Sequence, residues 1–74
     1  MPRYFFSIQD GHDLPDHEGT VLAGPDAARA LAVRTSGEIL QSLEAAFWSG
    51  PEWRMEVTDE QGGAVCTLSV QGTK

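Results

Sequence analysis

Hydrophobic and polar residues alternate along several stretches of the chain, and this two-residue period predicts β-strands. In the first stretch, Tyr4, Phe6 and Ile8 point to one side and polar residues occupy most of the other. A shorter extended run follows a loop rich in Asp, Gly, His and Pro, which are residues that favour turns. The strands are predicted at 3–9, 20–22, 53–58 and 64–70.

Between the two predicted hairpins, apolar residues recur every three or four positions, as in an amphipathic helix. Pro25 and Asp26 favour its start, because proline fits the first helical position and an acidic residue faces the positive end of the helix dipole. Gly50 and Pro51 favour its end, so the predicted helix covers 25–48. Its apolar stripe consists of Ala28, Leu31, Ala32, Ile39, Leu43 and Ala46, flanked by Leu40 and Phe47.

These elements predict an α+β fold with the order β-β-α-β-β. We expect a mostly antiparallel four-stranded sheet with the single long helix packed on one face. The strand order 2-1-3-4 is preferred, because consecutive strands are usually neighbours, and 2-1-4-3 is the alternative. A chain of 74 residues provides for one domain with one modest core.

The predicted helix is longer than the sheet beside it. About 24 helical residues span roughly 36 Å, whereas strands of six or seven residues span about 23 Å. Either the helix bends near Ser36-Gly37, where glycine weakens it, or its last turns are covered by another chain. The second alternative predicts a homodimer, and Phe5 and Val65 on the outer face of the sheet add apolar surface to it. The candidate interface residues are Phe5, Leu43, Phe47, Trp48 and Val65.

Two tryptophans flank the predicted helix end. Trp53 shares a strand face with Met55 and Val57, which places it in the core. Trp48 falls on the polar side of the helix, where core packing and an interface fit equally well.

The charge of the chain excludes several partners. Eleven acidic and five scattered basic residues give a net charge of −6. Such a surface repels the phosphates of nucleic acids and of anionic membranes. The apolar stretches are also too short to cross a bilayer, and the N-terminus lacks the pattern of a signal peptide. We therefore expect a cytoplasmic protein that binds neither nucleic acid nor membranes.

No catalytic residues emerge from the sequence. Cys66 is the only cysteine and lies in an alternating apolar run, where a thiol behaves as a small buried hydrophobe. Gly62-Gly63 lies in a predicted hairpin turn without a following helix, so it is not a phosphate-binding loop. The protein is therefore predicted to be non-enzymatic.

The loop 10–18 is the one segment where ligands for a metal could assemble locally. Its nine residues hold four carboxylates and two imidazoles, those of His12 and His17. The spacing matches no known metal signature, so an ordinary solvated loop is the simpler interpretation. No metal or cofactor is expected, and binding of a metal or a small ligand by this loop stays an alternative function.

Three segments resemble a family of small bacterial proteins of unknown function. They are the initial Met-Pro-Arg-Tyr-Phe-Phe, the helix start Pro25-Asp26-Ala27-Ala28, and Glu56-Val57-Thr58-Asp59-Glu60 with Gly62. The resemblance spans nearly the whole chain and implies the fold, but it implies no activity, cofactor or catalytic residue. A weaker similarity of topology is to HicB-type antitoxins, although their Pro-Gly-Cys segment and DNA-binding module are absent.

Three functions are compatible with these observations. The first is a non-enzymatic module that self-associates as a homodimer and binds other proteins. The second is a metal- or small-ligand-binding protein that uses the loop 10–18. The third is an antitoxin-like protein whose acidic surface neutralises a basic protein.

Overall fold

The chain forms five β-strands, one α-helix and one short 3₁₀ helix in a computed structural model that describes all 74 residues. The elements are β1 (Arg3–Gln9), β2 (Asp13–Leu14), β3 (Thr20–Val21), α1 (Pro25–Leu43), the 3₁₀ helix (Glu44–Ser49), β4 (Trp53–Thr58) and β5 (Ala64–Val70). The predicted α+β class is confirmed, although the sheet has five strands and not four. Three of the four predicted strands have the predicted bounds, and the strand predicted at 20–22 ends one residue earlier, at Val21. β2 was not predicted, because a two-residue strand arises from pairing with β1 and leaves no periodic pattern.

All strand pairs in the sheet are antiparallel. The order is β2-β1-β4-β5, and β3 also pairs with β1. β2 and β3 lie one after the other along the same edge of β1, opposite its two ends. The predicted strands 1, 2, 3 and 4 correspond to β1, β3, β4 and β5. The preferred order 2-1-3-4 is therefore confirmed. The alternative 2-1-4-3 is wrong, because β5 pairs with β4 and not with β1.

The helix α1 packs against β4 and β5. Its buried residues are Ala28, Ala32 and Ser36, which recur every four positions on one face. Small side chains on this face let the helix backbone come close to the sheet. Ser36 reaches the core, where its Oγ lies 3.6 Å from Sδ of Met55. The other fully buried residues are Tyr4, Trp53, Met55 and Val57, which confirms the core position predicted for Trp53.

The predicted helix 25–48 is too long as a single α-helix. α1 runs without interruption through Gly37 and ends at Leu43, and the chain continues as a 3₁₀ helix from Glu44. Glu44 has a φ of 48°, a conformation that interrupts regular helical geometry. The 19 residues of α1 span about 28 Å, against about 23 Å for the seven residues of β5. α1 alone therefore exceeds the strand by only about 5 Å, and the remaining residues of the predicted helix form the 3₁₀ helix.

The core of this fold is thin. Seven of the 74 residues are buried, and eleven further hydrophobic residues are only partly buried against that core. The molecule is elongated, with principal extents of 41 × 20 × 17 Å. Neither helical segment combines the length and the apolar character that a bilayer crossing requires.

Candidate protein-interaction surface

The loop between β1 and β3 is organised by one carboxylate, that of Asp16. Its Oδ2 accepts a hydrogen bond from the N–H of Phe6 at 3.0 Å, and its Oδ1 accepts from Glu18 at 3.1 Å and Gly19 at 3.0 Å. The N–H of Asp16 itself donates to Oγ of Ser7 at 3.3 Å. The carboxylate therefore replaces a strand partner for β1 in the gap between β2 and β3.

The hydrogen bonds to Asp16 also fix its ionisation. Burial of the carboxyl opposes the charged form, but the N–H groups of Gly19, Phe6 and Glu18 and the nearby His17 outweigh it and hold the pKa of Asp16 below its usual value of 3.8. Asp16 is therefore a charged structural residue at neutral pH. A carboxyl with a lowered pKa is poorly suited to act as a general acid.

The loop does not bring its remaining titratable side chains together. No three His, Cys, Asp or Glu side chains lie close enough to hold a metal ion. His12 and His17 are exposed, and Oδ1 of Asp10 accepts the backbone N–H of His12 at 3.3 Å. The potential ligands of this loop thus either lie at exposed positions or accept backbone hydrogen bonds.

Cys66 lies in β5, at the edge of the sheet opposite this loop. It is half-buried in β5, where it lies opposite Val57 and packs against the core. β1 and β4 separate β5 from β2, which amounts to about 14 Å at the usual strand spacing. The thiol and the two histidines therefore belong to different parts of the molecule.

Two of the candidate interface residues, Phe5 and Val65, lie at the Thr58 end of β4. Phe5 is half-buried on the outer face, and its ring packs on Gly19, where an added Cβ would lie 2.9 Å from Cε1 of the ring. Val65 occupies a β-bulge where the register between β4 and β5 shifts, and its side chain packs against the core. The outward orientation predicted for Val65 is wrong, because the bulge inserts an extra residue into the alternation.

The other three candidates lie towards the opposite end of β4. Leu43 and Phe47 lie beside Trp53, and Trp48 lies next to Phe47. Leu43 and Phe47 are partly buried against the protein's own core. The rings of Phe47 and Trp48 meet edge to face, with centroids 5.5 Å apart and an interplanar angle of 86°. Gly72 packs on this pair, since an added Cβ would lie 2.5 Å from Cζ3 of Trp48. The five candidates thus form two separate groups, and Trp48 is the most exposed, at 47%.

The two edges of the sheet differ in length and charge. At one edge, β2 and β3 contribute two residues each, and the segment between them carries Pro15, Asp16, His17 and Glu18. Short strands, proline and charge are features that prevent further strand pairing. At the other edge, β5 is seven residues long and contains neither proline nor a charged residue. β5 is therefore the open edge of the sheet.

The direction of the backbone groups along β5 follows from one observed hydrogen bond, because this direction alternates along antiparallel strands. The N–H of Phe6 points away from β4, towards the loop carboxylate, and Phe6 lies opposite Val57. Val57 therefore directs its backbone groups towards β5, where it lies opposite Cys66. By the same alternation, Thr67 and Ser69 direct their N–H and C=O groups to the open edge.

The sequence of this chain matches one protein-family model over most of its length. The model described as a domain of unknown function, DUF6894, matches residues 3–71. The chain belongs to this family. No curated protein and no solved structure matches it. The DUF6894 match confirms the resemblance to an uncharacterised family, whereas the similarity to HicB-type antitoxins is not shown.

The residue that organises the loop of this DUF6894 domain, Asp16, was not predicted from the sequence. Asp16 was grouped with the other acidic residues of the loop, although a glycine follows it three positions later. An aspartate before such a glycine often accepts hydrogen bonds from the backbone of the next few residues. Asp59 in the second hairpin shows a related arrangement, since its Oδ1 accepts the N–H groups of Gln61, two positions later, and of Gly63, four positions later. The spacing from aspartate to glycine was the signal available in the sequence.

Proposed function

We propose that this DUF6894 domain is a non-enzymatic protein-interaction module that associates with a second copy of itself. The observation that carries this proposal is the open edge at β5. Its inward-facing residues Cys66, Leu68 and Val70 are only partly buried, and its outward edge has unpaired backbone groups. A second chain at this edge would satisfy those groups and cover more of the apolar row.

The charge distribution supports a second copy as the partner. Each chain carries a net charge of −6, so two copies repel one another over most of their surfaces. The segment from Ala64 to Val70 is free of charge, and contact there brings no like-charged side chains into direct opposition. The same acidic surface disfavours nucleic acids and anionic membranes as partners.

The separation of reactive side chains supports a function without catalysis. The carboxylate of Asp16 is engaged by three backbone N–H groups. His12 and His17 lie near the β2–β3 edge, whereas Cys66 lies in β5. General acid–base and nucleophilic catalysis require such groups within hydrogen-bonding reach of one another. A single free thiol also fits a reducing compartment, and we place the protein in the cytoplasm.

Light scattering coupled to size-exclusion chromatography tests self-association directly. The chain has a mass of 8.0 kDa, so we expect twice this mass at high micromolar concentration and a decline towards 8.0 kDa on dilution. The thermal midpoint should rise with protein concentration over the same range, since association stabilises the folded chain. A constant mass of one chain across the whole series would refute the proposal.

A further inference from the structure

We infer that two copies pair through β5 in antiparallel orientation, about a two-fold axis that passes beside Leu68, and so form one continuous sheet. This inference rests on the self-association proposed above and adds the surface and the register. Identical strands related by a two-fold axis perpendicular to a sheet are necessarily antiparallel. Each chain would extend the sheet of the other at its one open edge.

The register follows from the part of β5 that is regular. The bulge at Val65 disturbs the first residues of the strand, and the strand ends at Val70. The regular segment is therefore 66–70, and two antiparallel copies of it overlap fully when Leu68 lies opposite Leu68 of the partner subunit. In that register Thr67 lies opposite Ser69 of the partner subunit. These are the two residues whose N–H and C=O groups point to the open edge, so the pairing forms four hydrogen bonds between the chains.

The side chains on both faces suit this register. Thr67 and Ser69 are exposed on the outer face, where opposed hydroxyl-bearing residues form favourable pairs across strands. On the inner face, the partly buried Cys66, Leu68 and Val70 of one chain would continue the corresponding row of the other. The two-fold axis keeps both α1 helices on the same side of the sheet. Because each α1 packs on its own β4 and β5, the apolar row would lie between the two helices.

The opposite edge limits the assembly to two chains. β2 and β3 are two residues long, and the N–H of Phe6 between them is already bonded to Asp16. A chain with one open and one blocked edge forms a closed pair, whereas two open edges would permit a fibre. The geometry therefore points to a dimer with a finite sheet.

A charge introduced into β5 tests the pairing, and the same substitution at the opposite edge is a matched control. In the inferred register, Thr67→Glu brings the two introduced carboxylates into diagonal positions about 7–8 Å apart. We expect its dimer dissociation constant to rise about tenfold or more over wild type. Thr20→Glu, at an exposed position in β3, should leave the dissociation constant unchanged. Both positions are exposed in the single chain, so we expect both variants to fold. Circular dichroism and thermal melts at low concentration check this.

A complementary pair of variants tests the register. Ser69→Lys alone should also dissociate the dimer, because two introduced ammonium groups then lie on the diagonal. Mixing Thr67→Glu with Ser69→Lys places a carboxylate opposite an ammonium group, and we expect a heterodimer in native mass spectrometry. The two unmixed variants are the controls.

The outcomes separate this inference from the proposed function. If wild type is dimeric and Thr67→Glu remains equally dimeric, pairing through β5 is wrong while self-association stands. If each single variant dissociates but the mixture does not reassociate, the register about Leu68 is wrong. If wild type is a monomer at every concentration, both proposals fail. Loss of the dimer in Thr20→Glu instead of Thr67→Glu would assign the interface to the other edge.

Discussion

At the scale of single residues, Asp16 stabilises the fold more than its place in an acidic loop suggests. Its carboxylate accepts three backbone N–H groups that otherwise lack partners in the gap between β2 and β3. Asp16→Ala should lower the free energy of unfolding by about 1–3 kcal/mol, because three hydrogen bonds to a charged group are lost and the part-buried N–H groups of Phe6 and Gly19 lose their acceptor. Urea denaturation measures the change. Asp13→Asn, at an exposed residue of the same loop, is the control and should have little effect.

The lowered pKa of Asp16 gives this stabilisation a pH dependence. A carboxyl whose pKa is lower in the folded than in the unfolded chain stabilises the fold at pH values above its pKa in the unfolded chain. This contribution is lost as the pH falls through its pKa in the folded chain. The difference in unfolding free energy between wild type and Asp16→Ala should therefore be largest above about pH 5 and shrink in more acidic solution. A difference that grew on acidification would contradict the assigned role of the carboxylate.

Two glycines with positive φ allow the cost of backbone strain to be separated from the cost of steric clashes. Gly19 has a φ of +73°, and an added Cβ would lie 2.9 Å from the carbonyl oxygen of Tyr4 and 2.8 Å from Cγ of Arg3. Gly62 has a φ of +83° and no atom near that position. Gly62→Ala should cost about 1 kcal/mol for backbone strain, and Gly19→Ala should cost at least about 1 kcal/mol more. Equal losses in chemical denaturation would show that the contacts of Gly19 are unimportant.

At the scale of elements, Gly37 is a regular position of α1 and not a bend. An added Cβ there would meet nothing within 4 Å, and the residue is exposed. Gly37→Ala should therefore stabilise the protein by about 0.5–1 kcal/mol through helix propensity. Ala30→Gly, at another exposed position of α1, is the reverse change and should destabilise by a similar amount. Destabilisation by Gly37→Ala in thermal melts would indicate that the helix needs the flexibility of glycine.

The sequence predicted those elements whose side chains carry a periodic pattern. β1, β4 and β5 match their predicted bounds, because one face of each is in contact with the core. The end of α1 was missed, because Glu44 adopts a positive φ at a position that no glycine or proline marks in the sequence. The bulge at Val65 was missed for a similar reason, since alternation assumes that each residue has one partner. Local patterns of hydrophobicity do not mark either feature.

The candidate surface was harder to predict than the fold. The absence of charge from β5 is visible in the sequence, but it became informative only once the sheet order placed β5 at an edge. The predicted interface residues are of two kinds: Phe5 and Val65 on the outer face of the sheet, and apolar residues in the last turns of a helix that extends beyond it. Leu43 and Phe47 pack partly against the core of their own chain instead. A surface defined by backbone groups leaves no hydrophobic signature, so hydrophobicity alone did not indicate it.

At the scale of the whole molecule, net charge opposes the contact that the sheet edge favours. Two chains of −6 each repel over long distances, whereas the proposed contact at β5 is uncharged. Added salt shortens the range of the repulsion to about 10 Å at 0.1 M and leaves backbone hydrogen bonds and apolar contacts in place. The dimer should therefore tighten several-fold as salt is raised from low to physiological concentration, as measured by sedimentation equilibrium.

Acidification towards the isoelectric point near 4.5 should also tighten the dimer, since it reduces the repulsion between the two chains as salt does. A dimer held together by ion pairs would respond in the opposite way and dissociate as salt increases. The sign of the salt dependence thus distinguishes a contact at an uncharged strand from one made by the acidic surface with the few basic residues of the chain.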